Sequence, residues 1–331
     1  MNLRSRIPKS ALGILFAAGL LAGCRRSPAA GMQIALVPKL VGIPFFNAAA
    51  EGARQAARQL RVGLIYTGPT AADAGEQVQV LSGLLARRPA VIAVSADDPN
   101  AVAPVLERAR SLGIKVLTWD SDARPAARAW FVSQVDAETL GRRVMDVLAR
   151  EMHARGEYAI ITGALTASNL NAWMRWMEVE QREKYPRMKL VAVEPGNDDQ
   201  QLCFSQAQQL LEAWPRLGGI IGNSSAAPPA AARAVEQAGK RGQVIVAGLS
   251  TPDLMRRYIE DGAAPDITLW DPRRLGALTV AVARRVALGQ PIANGMTLDG
   301  IGPLRVDLAT HTIVMGPPLD FTRANVGQYH F

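Results

Sequence analysis

The sequence predicts an α/β fold made of two lobes, each built on a doubly wound parallel sheet. Short runs rich in β-formers alternate with segments of helical periodicity, as in parallel sheets crossed by helices. The runs are apolar at nearly every position, which is typical of strands covered on both faces. The alternation restarts near residue 134, and 331 residues exceed what one core usually holds, so two lobes are expected.

The first lobe opens with an apolar run at 33–37. A helix is predicted next, because apolar residues recur every three or four positions at Phe46, Ala50, Ala53, Ala57 and Leu60. Further strands are predicted at 62–66, 90–95 and 114–120, with helices around 78–85 and 102–112. Gly113 occupies a helix C-terminus, where a residue tolerant of positive φ is favoured.

The second lobe repeats this order after residues 131–133. Helices are predicted near 137–150, 171–184, 205–212 and 229–238, and strands near 158–162, 189–193, 219–222 and 244–249. Ligands of open parallel sheets bind outside the carboxyl ends of the strands. The strand exits with crowded polar residues are 38–39, 120–122, 163–169, 223–225, 250–251 and 270–271.

Residues 1–24 have the organisation of a secretory signal. Basic residues precede an apolar run from Ala11 to Ala22 that is too short to span a bilayer. The run ends in the lipobox pattern Leu21-Ala22-Gly23-Cys24. We therefore predict a lipoprotein signal peptide over 1–23 and acylation of Cys24, which would anchor the protein to a membrane in the periplasm, or to the outer face of the cell membrane in a Gram-positive source.

Charge, cysteine and histidine content exclude several classes of function. Removing residues 1–23 leaves 34 basic and 29 acidic residues, a formal charge of +5, and their scatter argues against a nucleic-acid groove. Cys203 would have no disulfide partner once Cys24 is acylated, and we expect it to be buried. The three histidines lie neither at strand exits nor at metal-ligand spacing, so we expect no metal, no cofactor and no catalytic group.

Six segments, in order along nearly the whole mature chain, carry a family resemblance. They are PKLVG at 38–42 with Phe45 and Phe46, YTGPT at 66–70, VLTWDSD at 116–122, STPD at 250–253 with Met255, LWD at 269–271 and NVGQY at 325–329. With these segments the chain resembles the periplasmic sugar-binding proteins of the ribose-binding type (type I). Within that class it is most similar to the autoinducer-2-binding and rhamnose-binding branch of ABC transporter substrate-binding proteins.

The resemblance implies two discontinuous lobes joined by a three-strand hinge. The crossings are expected near residues 133–135, 269–271 and 298–300. The N-terminal lobe would then comprise 32–133 and 271–298, and the C-terminal lobe 134–270 and 299–331. It also implies a monomer that takes up a small sugar-like ligand and delivers it to an ABC permease in the inner membrane.

The candidate ligand contacts of the first lobe suit a sugar, which offers hydroxyl groups and apolar C–H faces. Lys39 can donate to a ligand oxygen, and Asp120 can accept from two neighbouring hydroxyls by charge-assisted hydrogen bonds. Phe45 and Trp270 can stack on a ligand face, and Asp271 follows Trp270 at the same strand exit. We assign Phe46 to the core because it also fits the helix stripe.

The second lobe departs from the autoinducer-2 pattern. An Asp-Gln pair of that pattern is replaced by Asn169 and Leu170, and a Pro and an Ala by polar residues within 222–225. We expect Asn169, Asn223 and Ser225 to hydrogen-bond the ligand, and Leu170 to contact an apolar patch such as the methyl group of a deoxy sugar. A deoxyhexose, a pentose, another aldose and a furanosyl diol all remain open.

Other functions fit the sequence less well. An enzyme would need a nucleophile and base or a metal cluster. A sugar-responsive repressor would carry a helix-turn-helix where this chain has a lipobox. A protein that presents its ligand to a chemoreceptor or histidine kinase stays open, and neighbouring genes would discriminate it from a transport protein.

Overall fold

The computed structural model describes residues 31–298 and 301–331, so the predicted signal peptide and Cys24 lie outside the described residues. Its strands are β1 (Gln33–Val37), β2 (Gly63–Tyr66), β3 (Val91–Val94), β4 (Lys115–Trp119), β5 (Trp130–Ser133), β6 (Gly156–Thr162), β7 (Met188–Pro195), β8 (Leu217–Asn223), β9 (Ile245–Gly248), β10 (Ile267–Leu269), β11 (Thr297–Leu298), β12 (Gly302–Pro303), β13 (Arg305–Asp307), β14 (Thr312–Val314) and β15 (Leu319–Phe321). Its α-helices are α1 (Pro44–Leu60), α2 (Ala74–Arg87), α3 (Ala103–Ser111), α4 (Ala137–Glu151), α5 (Ser168–Lys184), α6 (Gln200–Ala213), α7 (Ala227–Gln237), α8 (Pro252–Glu260) and α9 (Pro272–Ala287).

The first sheet has the order β13-β14-β5-β4-β3-β1-β2. Strands β1 to β5 and β14 run parallel, while β13 pairs antiparallel with β14 at the edge. Helices α2 and α3 pack on one face of this sheet, and α1 and α9 cover the other. Strand β3 is buried along its whole length, as expected of a strand covered on both faces.

The second sheet repeats the winding of the first. Its order is β7-β6-β8-β9, with all three pairings parallel. The order β2-β1-β3-β4 within the first sheet has the same topology, with the chain reversing its direction of winding after the first strand pair. The predicted fold class, α/β with two doubly wound parallel sheets, is confirmed.

The chain passes three times between the lobes. It leaves the first sheet between β5 and α4, returns between β10 and α9, and leaves again between β14 and β15. The third crossing therefore lies at 315–318, and its prediction near 298–300 is wrong. Strands β13 and β14 belong to the first lobe because β14 extends its sheet by pairing with β5, a long-range contact that local sequence does not encode.

Helices α1 and α9 approach each other unusually closely. A methyl group built on Gly276 would overlap the carbonyl oxygen of Ala49, and one built on Gly52 would overlap the carbonyl of Arg273. Glycine is needed at both positions because a Cβ atom would meet backbone that cannot move aside cheaply. None of the described helices has the length and apolarity required to cross a bilayer.

This close approach gives a stability prediction. Gly276→Ala should destabilise the protein by about 1–3 kcal/mol, the usual cost of overpacking. Gly83→Ala is the matched control, because the exposed Gly83 of α2 has no atom within 4 Å of a built Cβ. The control should stabilise by about 0.5–1 kcal/mol, and urea unfolding of both variants would check the pair. Equal free energies of unfolding for the two variants would contradict the packing argument.

Candidate functional site

A small cavity lies between the lobes, where the carboxyl ends of strands from both sheets meet. Its volume is about 30 Å³. Both lobes contribute side chains to its wall. The lining residues are Lys39, Ile43, Phe45, Phe46, Asp120, Asn169, Leu170, Trp173, Asp198, Ser224, Ser225, Leu249, Leu269 and Trp270.

Lys39 places a buried ammonium between carboxylates of the two lobes. It follows β1, is 4% exposed, and its Nζ lies 4.0 Å from Asp120 Oδ2 and 3.8 Å from Asp198 Oδ2. Burial alone lowers the pKa of Lys39, but the charges of Asp198 and Asp120, with a smaller contribution from Asp97, outweigh it and raise the pKa above its ordinary value. The side chain therefore stays a cation inside the protein.

Asp120 is held by hydrogen bonds from three side chains. Ser95 Oγ donates to its Oδ2 at 2.7 Å, and the amides of Gln134 and Asn169 donate to its Oδ1, each at 3.3 Å. Burial raises the pKa of Asp120, although Lys39 and the hydrogen bonds oppose this. The backbone of Asp120 adopts a positive φ of 58°, which Asp tolerates better than most residues.

Asp97 is a further buried carboxylate that the sequence analysis missed. It follows β3 at 1% exposure, and neither carboxylate oxygen has a hydrogen-bond partner among the described residues. Burial raises the pKa of Asp97 to about 8, a shift that Lys39 reduces and that Asp198 increases. Within 31–298 and 301–331, no group of three or more His, Cys, Asp or Glu side chains is arranged to hold a metal ion.

Four aromatic rings form the apolar part of the wall. Phe45 meets Phe46 edge to face at 5.0 Å and Trp270 at 5.8 Å, while Trp173 meets Trp270 at 5.5 Å. Phe46 also packs against the buried Trp119 at 5.7 Å, so it belongs to the core and to the cavity wall. The chain thus places apolar ring surfaces beside the ammonium and carboxylates.

Most predicted contact residues reach the cavity. Lys39, Phe45, Asp120, Asn169, Leu170, Ser225 and Trp270 line it. Asn223 does not: its amide donates to Thr162 Oγ1 at 3.1 Å and to the Leu170 carbonyl at 3.0 Å, so it braces the loop behind the cavity. Asp271 is also elsewhere, because its carboxylate caps α9 by accepting from Arg273 N.

Several lining residues were not among the predicted contacts, including Asp198, Trp173 and Ser224. Asp198 follows β7, so the rule that sites lie at strand exits would have found it had it been applied to that strand. Trp173 lies one helical turn after Asn169 on α5, and its two possible roles, packing and ligand contact, could not be separated by spacing alone. Ser224 stands between the two predicted residues Asn223 and Ser225.

Direct polar contacts join the two lobes around the cavity. Asn169 bonds Asp120, and Ser168 Oγ donates to the Asp122 carbonyl at 2.9 Å. Thr166 Oγ1 donates to the Asp97 carbonyl at 2.8 Å. The lobes are therefore closed on each other, which explains the small volume of the cavity.

The sequence model of the periplasmic binding protein domain matches residues 34–291 of this chain. Two curated relatives cover most of it. The D-apiose import binding protein of Actinobacillus succinogenes is 28% identical over 244 residues, covering 72% of this chain and 76% of that protein. The D-ribose/D-allose-binding protein of Pseudomonas aeruginosa is 26% identical over 286 residues, with coverages of 84% and 88%.

Two similar solved structures carry ligands. One is an ABC transporter solute-binding protein of Clostridium phytofermentas with bound L-rhamnose (TM-score 0.87, 26% identity, 91% of this chain and 98% of that one). The other is LsrB of Clostridium saccharobutylicum in complex with AI-2 (TM-score 0.86, 27% identity, 91% and 100%). The predicted resemblance to the ribose-binding type is confirmed. All four relatives are binding proteins, and two of them are named for import or ABC transport, so the prediction that the chain is not an enzyme is also confirmed.

The buried Asp97 predicts a pH dependence of stability. An unfolded aspartate has a pKa of about 3.9, whereas burial raises the pKa of folded Asp97 to about 8. Between these values the folded protein binds a proton that the unfolded chain lacks, so the contribution of Asp97 to stability falls as pH rises. The melting temperature of Asp97→Asn minus that of the parent should therefore increase from pH about 4 to about 8 and stay constant above that.

Asp98→Asn is the matched control for this experiment. Asp98 is the neighbouring, less buried carboxylate, and it accepts from the backbone N–H groups of Asn100 and Ala101. A pH-dependent melting-temperature difference of the same size in Asp98→Asn would show that the effect is not specific to Asp97. A constant difference for Asp97→Asn would show that Asp97 does not titrate between the two values.

Proposed function

The chain belongs to the periplasmic binding protein domain family, and from this premise we propose that it is the substrate-binding protein of an ABC sugar importer. In this proposal a small sugar or sugar-like ligand is captured between the two lobes and presented to an ABC permease in the inner membrane. The ligand would stabilise the closed arrangement only by contacting both lobes at once.

One observation carries the proposal: buried polar atoms without protein partners point to a polar ligand in the interlobe cavity. Among the described residues that line it, Asp198 Oδ2, Ser224 Oγ and Trp270 Nε1 are buried and have no hydrogen-bond partner. Unpaired buried polar atoms are rare in native proteins because each costs about 1–3 kcal/mol. Ligand hydroxyl groups beside the aromatic rings would satisfy them.

A sugar enters this site only when the lobes or the lining side chains move apart. The cavity of about 30 Å³ is far below the ~300–1,000 Å³ typical of small-molecule pockets. The three crossings, between β5 and α4, β10 and α9, and β14 and β15, are the places where a hinge motion can open the cleft. Ligand hydroxyls would then replace part of the direct contact between Asn169 and Asp120.

Each predicted contact residue that lines the cavity has a role in this proposal. Lys39 donates to a ligand oxygen, and Asp120 accepts from neighbouring hydroxyls. Asn169 and Ser225 supply neutral hydrogen bonds from the second lobe. Leu170, Phe45 and Trp270 cover apolar C–H faces of the ligand.

The ligand class is proposed from chemistry and from the relatives. A pentose, a deoxyhexose such as rhamnose, another aldose and autoinducer-2 each carry the hydroxyl groups that the site requires. The relatives named above bind ligands of these kinds. On the basis of the lipobox, we also propose that the mature protein lies outside the cytoplasm and is anchored to a membrane by lipid on Cys24. The family resemblance supports the further proposal that it is a monomer.

A thermal-shift screen tests the proposed function. The purified protein without residues 1–23 is melted with L-rhamnose, D-ribose, D-apiose, D-arabinose and autoinducer-2, each at saturating concentration. At least one should raise the melting temperature, because a ligand that binds only the folded state stabilises it. A panel of sugars that leaves the melting temperature unchanged would refute the proposed function.

The role of Asp120 gives a sharper prediction. Asp120→Asn keeps a residue that tolerates positive φ but removes the charge. Affinity for the sugar found in the screen should fall about 10- to 100-fold, since a hydrogen bond to a charged group contributes ~1.5–3 kcal/mol. Calorimetric titration measures this affinity. Asp253→Asn is the control, because Asp253 of α8 is exposed and lies outside the cavity. Equal affinities of both variants would remove Asp120 from the binding site.

A further inference from the structure

We propose that Asp198 is the ligand-facing carboxylate of the second lobe and makes the site select neutral sugars over sugar acids. This inference rests on the proposed sugar-binding function and adds the charge class of the ligand. From the sequence, the second lobe was expected to have lost its carboxylate, because Asn169 stands where the autoinducer-2 pattern has Asp. The structure brings a carboxylate to the cavity from a different loop.

Backbone geometry directs Asp198 toward the cavity. Asn197 and Asp198, in the turn between β7 and α6, both have positive φ, at 48° and 55°. The turn is closed by backbone hydrogen bonds from Gly196 N to the Thr162 carbonyl and from Asp199 N to the Gly196 carbonyl. Asn and Asp are the non-glycine residues that best tolerate this conformation, so the sequence suits the turn that aims the side chain.

The space for the carboxylate is created by a glycine. A Cβ atom built on Gly163, just after β6, would lie 3.0 Å from Asp198 Oδ2 and 2.6 Å from Leu170 Cδ1. Any larger residue at 163 would therefore push the carboxylate and Leu170 out of place. The absence of a side chain at Gly163 thus lets Asp198 and Leu170, from two different segments of the second lobe, pack together at the cavity wall.

Asp198 has acceptor capacity left for a ligand. It is 5% exposed, its Oδ2 lacks a hydrogen-bond partner among the described residues, and it faces Lys39 Nζ at 3.8 Å. It lines both the inner cavity and an adjoining groove of about 490 Å³ that shares Ile43 and Ser225 with it. A ligand entering between the lobes from this groove would pass the carboxylate.

The charges around the cavity disfavour an anion. Among the described residues that line it, the charged side chains are one ammonium, Lys39, and two carboxylates, Asp120 and Asp198. A sugar acid would bring one more negative charge into a water-poor site, and like charges at a buried interface cost several kcal/mol.

The test compares neutral and acidic sugars in matched pairs. Each sugar that binds the parent protein is titrated beside a uronate of the same ring form and hydroxyl configuration, which carries a carboxylate on its exocyclic carbon. The parent should bind the neutral sugar about 100-fold more tightly, as several kcal/mol of repulsion implies. In Asp198→Asn the ratio of the dissociation constants, uronate over neutral sugar, should fall at least about tenfold, because one of the repelling charges is gone.

Asp199→Asn is the matched control for charge in the same loop. Asp199 is exposed, caps α6 by accepting from Leu202 N, and lines the outer groove but not the inner cavity. Since Asn also caps helices well, the control should keep the parental ratio. Gly163→Ala, which displaces the carboxylate without changing the charge of the protein, should weaken binding of the neutral sugar.

The outcomes separate this inference from the proposed function. If neutral sugars bind the parent but the ratio is unchanged in Asp198→Asn, or the uronate binds the parent equally well, the role of Asp198 is refuted and the sugar-binding function stands. If no sugar of either kind binds the parent, both proposals fail. Circular dichroism of each variant shows whether a lost signal reflects unfolding.

Discussion

The buried ammonium of Lys39 lies between Asp120 of one lobe and Asp198 of the other, and the need to compensate its charge constrains how the lobes close. Taking these three charges out of water is costly, and their mutual attraction offsets that cost only when the groups stay close together. The attraction between Lys39 and Asp198 is available only while the lobes are closed, since these residues follow strands of different sheets. Closure and electrostatic compensation are therefore coupled at this point.

Parallel topology explains why these groups meet at all. In each lobe the strands run in one direction, so their carboxyl ends form one edge and the loops that follow them converge there. Lys39 follows β1, Asp120 follows β4 and Asp198 follows β7. Three distant parts of the chain thus contribute to one site, and the closely packed α1 and α9 cover the sheet behind two of them.

The site contains one carboxylate that is well supplied with hydrogen bonds and several buried polar atoms that have none. Asp120 receives three side-chain hydrogen bonds, so its position is well determined. Around it, Asp97, Asp198, Ser224 and Trp270 retain buried polar atoms without partners among the described residues. A purely structural core would leave few such atoms. Their concentration between the lobes, beside four aromatic rings, is what a hydroxyl-rich ligand with apolar faces would match.

The sequence by itself determined the fold class, the order of most strands and helices, and the position of seven of the nine predicted ligand contacts at the cavity, including Lys39, Asp120 and Trp270. The elements follow from local periodicity, which needs only short stretches of chain. The contact residues follow from the strand-exit rule together with the resemblance to the sugar-binding proteins. Tertiary structure alone decided that Asn223 braces a loop, that Asp271 caps α9, and that β14 joins the first sheet. It also decided that Asp198 brings a carboxylate of the second lobe to the cavity wall. Each of these depends on contacts between residues far apart in the chain, or on a side chain choosing between two nearby partners, and neither is encoded by spacing along the sequence.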